Sequence, residues 1–253
     1  MLRAFLERLR QGRHTLPFPP ADDALPERFR GRPALDPARC REGCRECAES
    51  CPTGAITMEP DLALDLGRCL FCNECVRACP TGAIRFTGDY RMAASRRQDL
   101  VYGARGGRLA EPLDEARRSL VSRSLTIRQV SAGGSAGCEQ ESAAMENIVF
   151  DVSRFGIQFA ASPRHADALL VTGPVSANMR TALEKTREAI PSPAIVIAVG
   201  ASAISGAPYE GTPEVLGGAD KVLPVDLYVP GHPPHPLTIL DGLLRLMGRI
   251  GRD

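Results

Sequence analysis

Two cysteine runs decide what the front of this chain folds around. The second reads Cys69-x2-Cys72-x2-Cys75-x3-Cys79-Pro80, the spacing that holds a 4Fe–4S cluster. The first reads Cys40-x3-Cys44-x2-Cys47-x3-Cys51-Pro52, one residue longer between its first two cysteines. Each run closes on the same six residues, CPTGAI, at 51–56 and 79–84. The segment is therefore an internal duplication, with one residue inserted near Arg41–Gly43. Three closely spaced thiolates leave a cubane one ligand short. The fourth lies beyond a proline turn, and in tandem runs of this kind it serves the other cluster. The spacing thus assigns Cys40, Cys44, Cys47 and Cys79 to one cluster, and Cys69, Cys72, Cys75 and Cys51 to the other. Zinc and disulfides are the plain alternatives. Zinc ribbons use two C-x2-C pairs split by a spacer, not four cysteines ending in Cys-Pro.

Nine cysteines are present, so Cys138 is left over. No signal peptide opens the chain and no apolar run approaches a membrane span. Thiolates kept for cluster assembly fit a reducing cytoplasm. A formal charge of +1 gives no field that would attract nucleic acid. At 253 residues the chain exceeds what the cysteine repeat needs, and composition divides it into four parts. An amphipathic helix and leading segment cover 1–35, a two-cluster domain 36–90, an Arg/Gly-rich linker 91–124, and a further domain 125–253.

Leu2, Phe5, Leu6 and Leu9 recur at helical spacing, with Arg3, Glu7 and Arg10 on the other side. LPFPP at 16–20 ends that helix. So short a basic amphipathic helix suits docking on a partner subunit or a membrane surface. The arginines of 90–124 read as solvated or partner-facing, with some helix around Leu113–Val121. From Leu125 onward short apolar runs alternate with helical stretches. Strands are expected at Leu125–Val130, Phe155–Ala160, Ala168–Thr172, Ala194–Val199 and Val222–Val225, and helices at Asn178–Ile190 and Leu237–Ile250. AIVIAV at 194–199 suits a central parallel strand covered on both faces. The pattern predicts a doubly wound α/β domain whose ligand edge lies in loops 131–141, 172–178, 200–206 and 229–236. SAGGSAG at 131–137 lacks the Gly-Lys-Ser/Thr ending of a phosphate loop and reads as a tight strand-to-helix turn. His165 reads as a residue that caps or orients a loop.

The segments 155–179, 194–203 and 222–236 resemble the small, cluster-bearing subunit of energy-converting (group 4) membrane-bound hydrogenases and of respiratory complex I. LPFPP, RGRPALDPARC (30–40) and CLFCNECVRACPTGAIRFTGDYRMA (69–93) are similar to the two-cluster ferredoxin subunit of the same complexes. The chain looks like a fusion of the two. The resemblance implies a ferredoxin fold followed by a flavodoxin-like doubly wound sheet. It also implies a peripheral position on the cytoplasmic side of the inner membrane. The implied partners are a large catalytic-type subunit and membrane antiporter-like subunits, with membrane contact indirect or through the N-terminal helix.

The small subunit of that family holds a proximal 4Fe–4S cluster with two cysteines in its first loop and one in each of two later loops. Here Cys138 fills one position and Ser135 stands at the other. The Gly-x-Cys-Ala loop reads Gly200-Ala201-Ser202-Ala203, and Pro-Gly-Cys-Pro-Pro has become Pro230-Gly231-His232-Pro233-Pro234. One cysteine and one histidine do not hold a cubane, so two 4Fe–4S clusters and no third are expected. No catalytic residue is identified. The expected function is an iron–sulfur electron-transfer subunit of a complex I-like or hydrogenase-related oxidoreductase. The alternatives are a docking subunit with a redox-inactive second domain, a free-standing ferredoxin-type carrier, or a pocket in which His232, with His235 as a weaker companion, and Cys138 act as new ligands or an acid–base pair.

Overall fold

The duplicated motif builds a duplicated scaffold. In the computed structural model, which describes residues 2–12, 14–21 and 25–251, each CPTGAI copy turns directly into a strand. Ile56 opens β2 (Ile56–Thr57), which pairs antiparallel with β3 (Ala63–Asp65). Ile84 opens β4 (Ile84–Phe86), which pairs antiparallel with β1 (Pro33–Leu35). Both isoleucines are buried. The glycine of each copy sits in the left-handed region, Gly54 at φ 59° and Gly82 at φ 65°, which a side chain would strain. Helices α2 (Glu46–Glu49) and α3 (Glu74–Ala78), one from each run, bury Cys47 and Cys75. Ahead of this scaffold, α1 (Leu2–Gln11) leaves Phe5, Leu6 and Leu9 exposed. The side chain of Leu2 lies outside the described residues.

Residues 91–124 do not form the loose linker that their composition suggests. Leu100 and Tyr102 are fully buried, and β5 (Val101–Tyr102) joins β3 as the third strand of the ferredoxin sheet. Ala94 and Tyr228 exchange backbone hydrogen bonds at 2.9 and 2.8 Å, tying the same segment to the second domain. α4 (Glu115–Val121) starts at Asp114, whose carboxylate accepts the Arg117 N–H. Nor are all the arginines of this stretch solvated. Arg97 makes a bidentate pair with Asp65 at 2.7 and 2.6 Å, and Arg117 spans Asp114 and Asp226. The buried apolar residues of the stretch, among them Met92, Leu100, Tyr102, Leu113 and Val121, follow no single period, and ion pairs add to the anchoring.

The second domain carries five parallel strands: β6 (Leu125–Ser131), β7 (Ile157–Phe159), β8 (Ala168–Thr172), β9 (Ile195–Val199) and β10 (Leu227–Val229). Their order is β10-β9-β8-β6-β7. Counted within the domain this is 2-1-3-4-5, the doubly wound flavodoxin-like arrangement. β8 and β9 are buried on both faces, as continuous apolar runs require. Alternate residues divide the work. Leu169, Val171, Val196, Ala198 and Tyr228 share one core with Leu64, Leu66, Cys69 and Cys75 of the ferredoxin domain. Leu170, Ile195, Ile197 and Leu227 pack with α8 (Pro236–Leu246) on the other side. The remaining helices are α5 (Gly137–Ala144), α6 (Arg180–Ala189) and α7 (Ala201–Ser205).

One expected strand is displaced. Val222 ends a 3-10 turn in a helical conformation, and Pro224 has no N–H to give a ladder. Pairing begins after Asp226, whose N–H donates to the Val196 carbonyl at 2.8 Å and whose carboxylate accepts the Val196 N–H at 2.9 Å. The fifth strand is therefore Leu227–Val229, not Val222–Val225.

Direct contacts join the two domains. Arg68 pairs with Glu210 at 2.5 Å. A Cβ on Gly67 would lie 2.8 Å from Ile204 and 2.6 Å from the Arg97 guanidinium, so this approach needs glycine. The leading segment closes the same seam, with the Leu16 N–H donating to the Val149 carbonyl at 2.7 Å and Phe18 packed between Tyr90 and Phe155.

Candidate metal centres

Eight thiols gather into two groups of four, and each group draws on both runs. Cys40, Cys44, Cys47 and Cys79 line one chamber, walled by Met58, Leu62 and Ile84. Cys69, Cys72, Cys75 and Cys51 line the other, walled by Ile56, Leu64 and Phe86. The proline turn carries each final cysteine away from its own run, and the packing of α2 on α3 brings it to the neighbouring one. The thiols ring a space rather than meet at a point. Among the described residues, no three His, Cys, Asp or Glu side chains are placed to share a single ion.

The backbone is aimed at the sulfurs. The Ala55 N–H donates to Cys51 Sγ at 3.2 Å and the Ala83 N–H to Cys79 Sγ at 3.2 Å, one equivalent bond in each CPTGAI copy. Thr53 and Thr81 place their hydroxyls 3.8 and 3.7 Å from the same two sulfurs. In the second chamber the Phe71 N–H donates to Cys69 Sγ at 3.3 Å. The repetition of Thr and Ala in CPTGAI was the sequence signal for these donors, which motif spacing alone does not reveal.

Burial pushes the Cys69 thiol up to about 12 and Cys75 up to about 11, and the neighbouring thiols of the quartet add to the rise. Burial and then Cys79 raise Cys40 and Cys47. Cys79 goes the other way. Burial opposes its ionisation, but the bonds from Thr81 and Ala83 together outweigh burial and lower it. Four thiolates so enclosed repel one another unless bound metal takes up their charge. Four sulfur donors, an apolar wall and inward N–H groups suit a 4Fe–4S cluster in each chamber.

The second domain contrasts with this. Its three loops do meet at the carboxyl edge of the sheet, and Cys138 Sγ lies against Gly200, 2.4 Å from where a Cβ would stand there. Burial, followed by Glu139 and Glu141, pushes the Cys138 thiol up to about 12. Ser135 is exposed in its loop, while Ser202 is buried in α7. His232 is half-buried and lines a different cavity, facing Leu70, Phe71 and Cys72 of the ferredoxin domain. Among the described residues, no hydrogen bond links Ser135, Cys138, Ser202 and His232 to one another. The loops converge, with Cys138 packed on Gly200 and His232 lining the cavity beside Cys72. His165 stands exposed in the turn Pro163–His165, and among the described residues no hydrogen bond from its side chain is seen.

Comparison with known proteins divides the chain at the same place. Residues 39–83 match the 4Fe-4S dicluster domain, and residues 136–246 match the family described as NADH ubiquinone oxidoreductase, 20 Kd subunit. Formate hydrogenlyase subunit 7 of Escherichia coli (strain K12) is 42% identical over 130 residues, 51% of this chain and 51% of that protein. The probable membrane-bound hydrogenase subunit mbhJ of Pyrococcus furiosus is 37% identical over 132 residues, covering 52% of this chain and 79% of that one. An NADH-quinone oxidoreductase subunit of Heliobacterium modesticaldum is 41% identical over 120 residues, 47% of this chain and 69% of the relative. The match thus spans about half of the hydrogenlyase subunit and more of the other two.

Proposed function

Because the chain belongs, through residues 136–246, to the family of the 20 Kd subunit of NADH ubiquinone oxidoreductase, we propose that it is an iron–sulfur electron-transfer subunit of a complex I-like or hydrogenase-related membrane oxidoreductase. In this reading it holds two 4Fe–4S clusters and no proximal one. The observation that carries it is the exchange of final cysteines between two thiol chambers in a domain packed directly on the family's sheet. A bound 4Fe–4S cluster supplies one-electron storage and transfer. The chain's own part is to hold sulfur ligands, exclude water with Ile56, Leu64, Phe86, Met58 and Leu62, and direct N–H donors at Cys51, Cys69 and Cys79. Such hydrogen bonds help set a cluster's potential.

Cys40, Cys44, Cys47 and Cys79 would hold one cluster, and Cys51, Cys69, Cys72 and Cys75 the other. The altered edge offers one thiol packed on Gly200, with serine and histidine at the remaining positions, which is too few sulfur donors for a third. Relatives named as subunits support partners that are other subunits of a complex, and those proposed here are a large catalytic-type subunit and membrane antiporter-like subunits. Among the described residues no helix is long and apolar enough to cross a membrane. Contact with the bilayer would run through those subunits or through α1, whose exposed Phe5, Leu6 and Leu9 and flanking arginines suit a membrane interface.

The test is iron content of the purified full chain. About eight irons, as two clusters of four, is the expected result. About twelve would restore the proximal site, and about four would remove one quartet. Carrying Ser135→Cys, Ser202→Cys and His232→Cys together probes the same edge from the other side. Uptake of a third cluster shows that the converging loops have kept a cluster-sized shape.

A further inference from the structure

The fourth-ligand position of the altered edge now opens onto something else. His232 lines a cavity of ≈ 360 Å³ between the two domains, floored by Phe71 and Cys72. That volume is in the range of small-molecule sites. The polar groups around it are mostly cationic or donating. Arg28 and Arg30 line it, and Arg30 is held by donating to the Phe71 carbonyl at 2.8 Å. His235 is fixed by accepting the Leu237 N–H on Nδ1 at 3.2 Å and by edge-on contacts with Phe29 and Phe150, at ring distances of 5.5 and 5.6 Å. A neutral ring so engaged carries its proton on Nε2 and donates from there. Against these four groups stands one carboxyl, Glu141. The remaining wall is apolar, including Phe29, Met92 and Pro233.

We infer that this cavity binds a small organic carboxylate with an apolar body, held by Arg28, Arg30, His232 and His235 and seated beside Cys72. Guanidinium groups recognise carboxylates through paired, charge-assisted hydrogen bonds, and the aromatic wall fits a ring or short alkyl chain. Binding needs the ferredoxin segment folded, because Leu70, Phe71 and Cys72 line the cavity. Its influence on the quartet containing Cys72 does rest on the electron-transfer reading.

Calorimetry on the full chain carrying its normal iron tests the site, with benzoate as probe, benzamide as its neutral analogue and inorganic phosphate as an anion without an apolar body. One saturable benzoate site per chain is expected, with benzamide and phosphate each about tenfold weaker or more. His232→Ala should weaken benzoate about tenfold at unchanged iron content. Glu141→Gln should tighten it severalfold, a gain that a misfolded variant does not produce. Absence of saturable binding to protein of full iron content overturns the inference, as does equal binding of all three probes or indifference to both substitutions. A shift in the electron paramagnetic resonance signal of one reduced cluster upon benzoate binding is the expected mark of the seat beside Cys72. Benzoate binding without that shift removes Cys72 from the site. An iron count other than about eight strikes the electron-transfer reading instead and leaves the binding result standing.

Discussion

The ferredoxin segment and the edge of the second domain are both built from loops that bring distant residues together, but they depend on those residues differently. In the ferredoxin segment the strands are two or three residues long, too short to stand alone. Cys47, Cys69 and Cys75 are themselves part of the core. At the second-domain edge the loops hang from strands of three to seven residues, and Ser135, Ser202 and His232 are not among the apolar residues of the core. Ligand residues that also form the core cannot be exchanged without loss of the fold. Ligand residues borrowed from the ends of a finished sheet can, and Ser135, Ser202 and His232 occupy such positions.

The sharpest way to break this contrast is to strip the iron. Chelation is expected to abolish hydrogen-exchange protection across 33–86 while 168–172 and 195–199 keep theirs. If both regions lose protection together, the sheet depends on the clusters as much as the ferredoxin segment does. Next in size is Cys79→Ser, which should damage the cluster of Cys40, Cys44 and Cys47 and spare the other. Spectra showing loss of the cluster at Cys69, Cys72 and Cys75 would mean that the runs fold as separate sites.

The buried pair of α8 sharpens the contrast from the other domain. Arg245 donates to Asp241 at 2.9 Å, with side chains 4% and 2% exposed. Asp241→Ala leaves a buried guanidinium with, among the described residues, only the Gly251 carbonyl as hydrogen-bond partner and should cost about 3–5 kcal/mol. Denaturant melts should record that loss with iron content unchanged before the transition. Arg97→Ala cuts the bidentate bond to Asp65, the residue whose carbonyl accepts the Cys69 N–H at 3.1 Å. A loss of about 2 kcal/mol is expected, and the cluster beside Cys69 should become the more labile of the two in timed chelation. A smaller effect concerns pH. Burial lowers the pKa of His235, so the unfolded chain takes up a proton more readily than the folded one. Stability contributed by the neutral ring should therefore fall as pH drops below about 6.5, the unfolded value. His235→Asn, which retains a capping acceptor, should flatten that part of the profile. An unchanged profile would detach the effect from this imidazole.

Much of the site was legible in the residues. Two runs with a repeated CPTGAI specified eight sulfur positions and a crossed arrangement, because cluster geometry leaves few spacings that work. AIVIAV announced a parallel strand covered on both faces for a similar reason, since such a strand has no polar side to show. Where local signals mislead, a partner far along the chain decides. Val222–Val225 has strand-like residues, yet pairing begins only after Asp226 engages Val196. The stretch 91–124 looks like a linker by composition, yet Asp65, Tyr228 and Asp226 hold it in place.

Residue chemistry alone thus set out what each half offers: eight thiols in cluster spacing on one side, and on the other a single thiol, Cys138, with Ser135, Ser202 and His232. Tertiary structure alone decided where the altered residues point. Cys138 turns inward onto Gly200, while His232 turns toward the ferredoxin domain and a cavity that neither domain forms by itself. Spacing along a chain constrains ligands that share a local loop. Residues supplied by Arg28, Phe71, Glu141 and His232 are made neighbours only by the packing of one domain against the other.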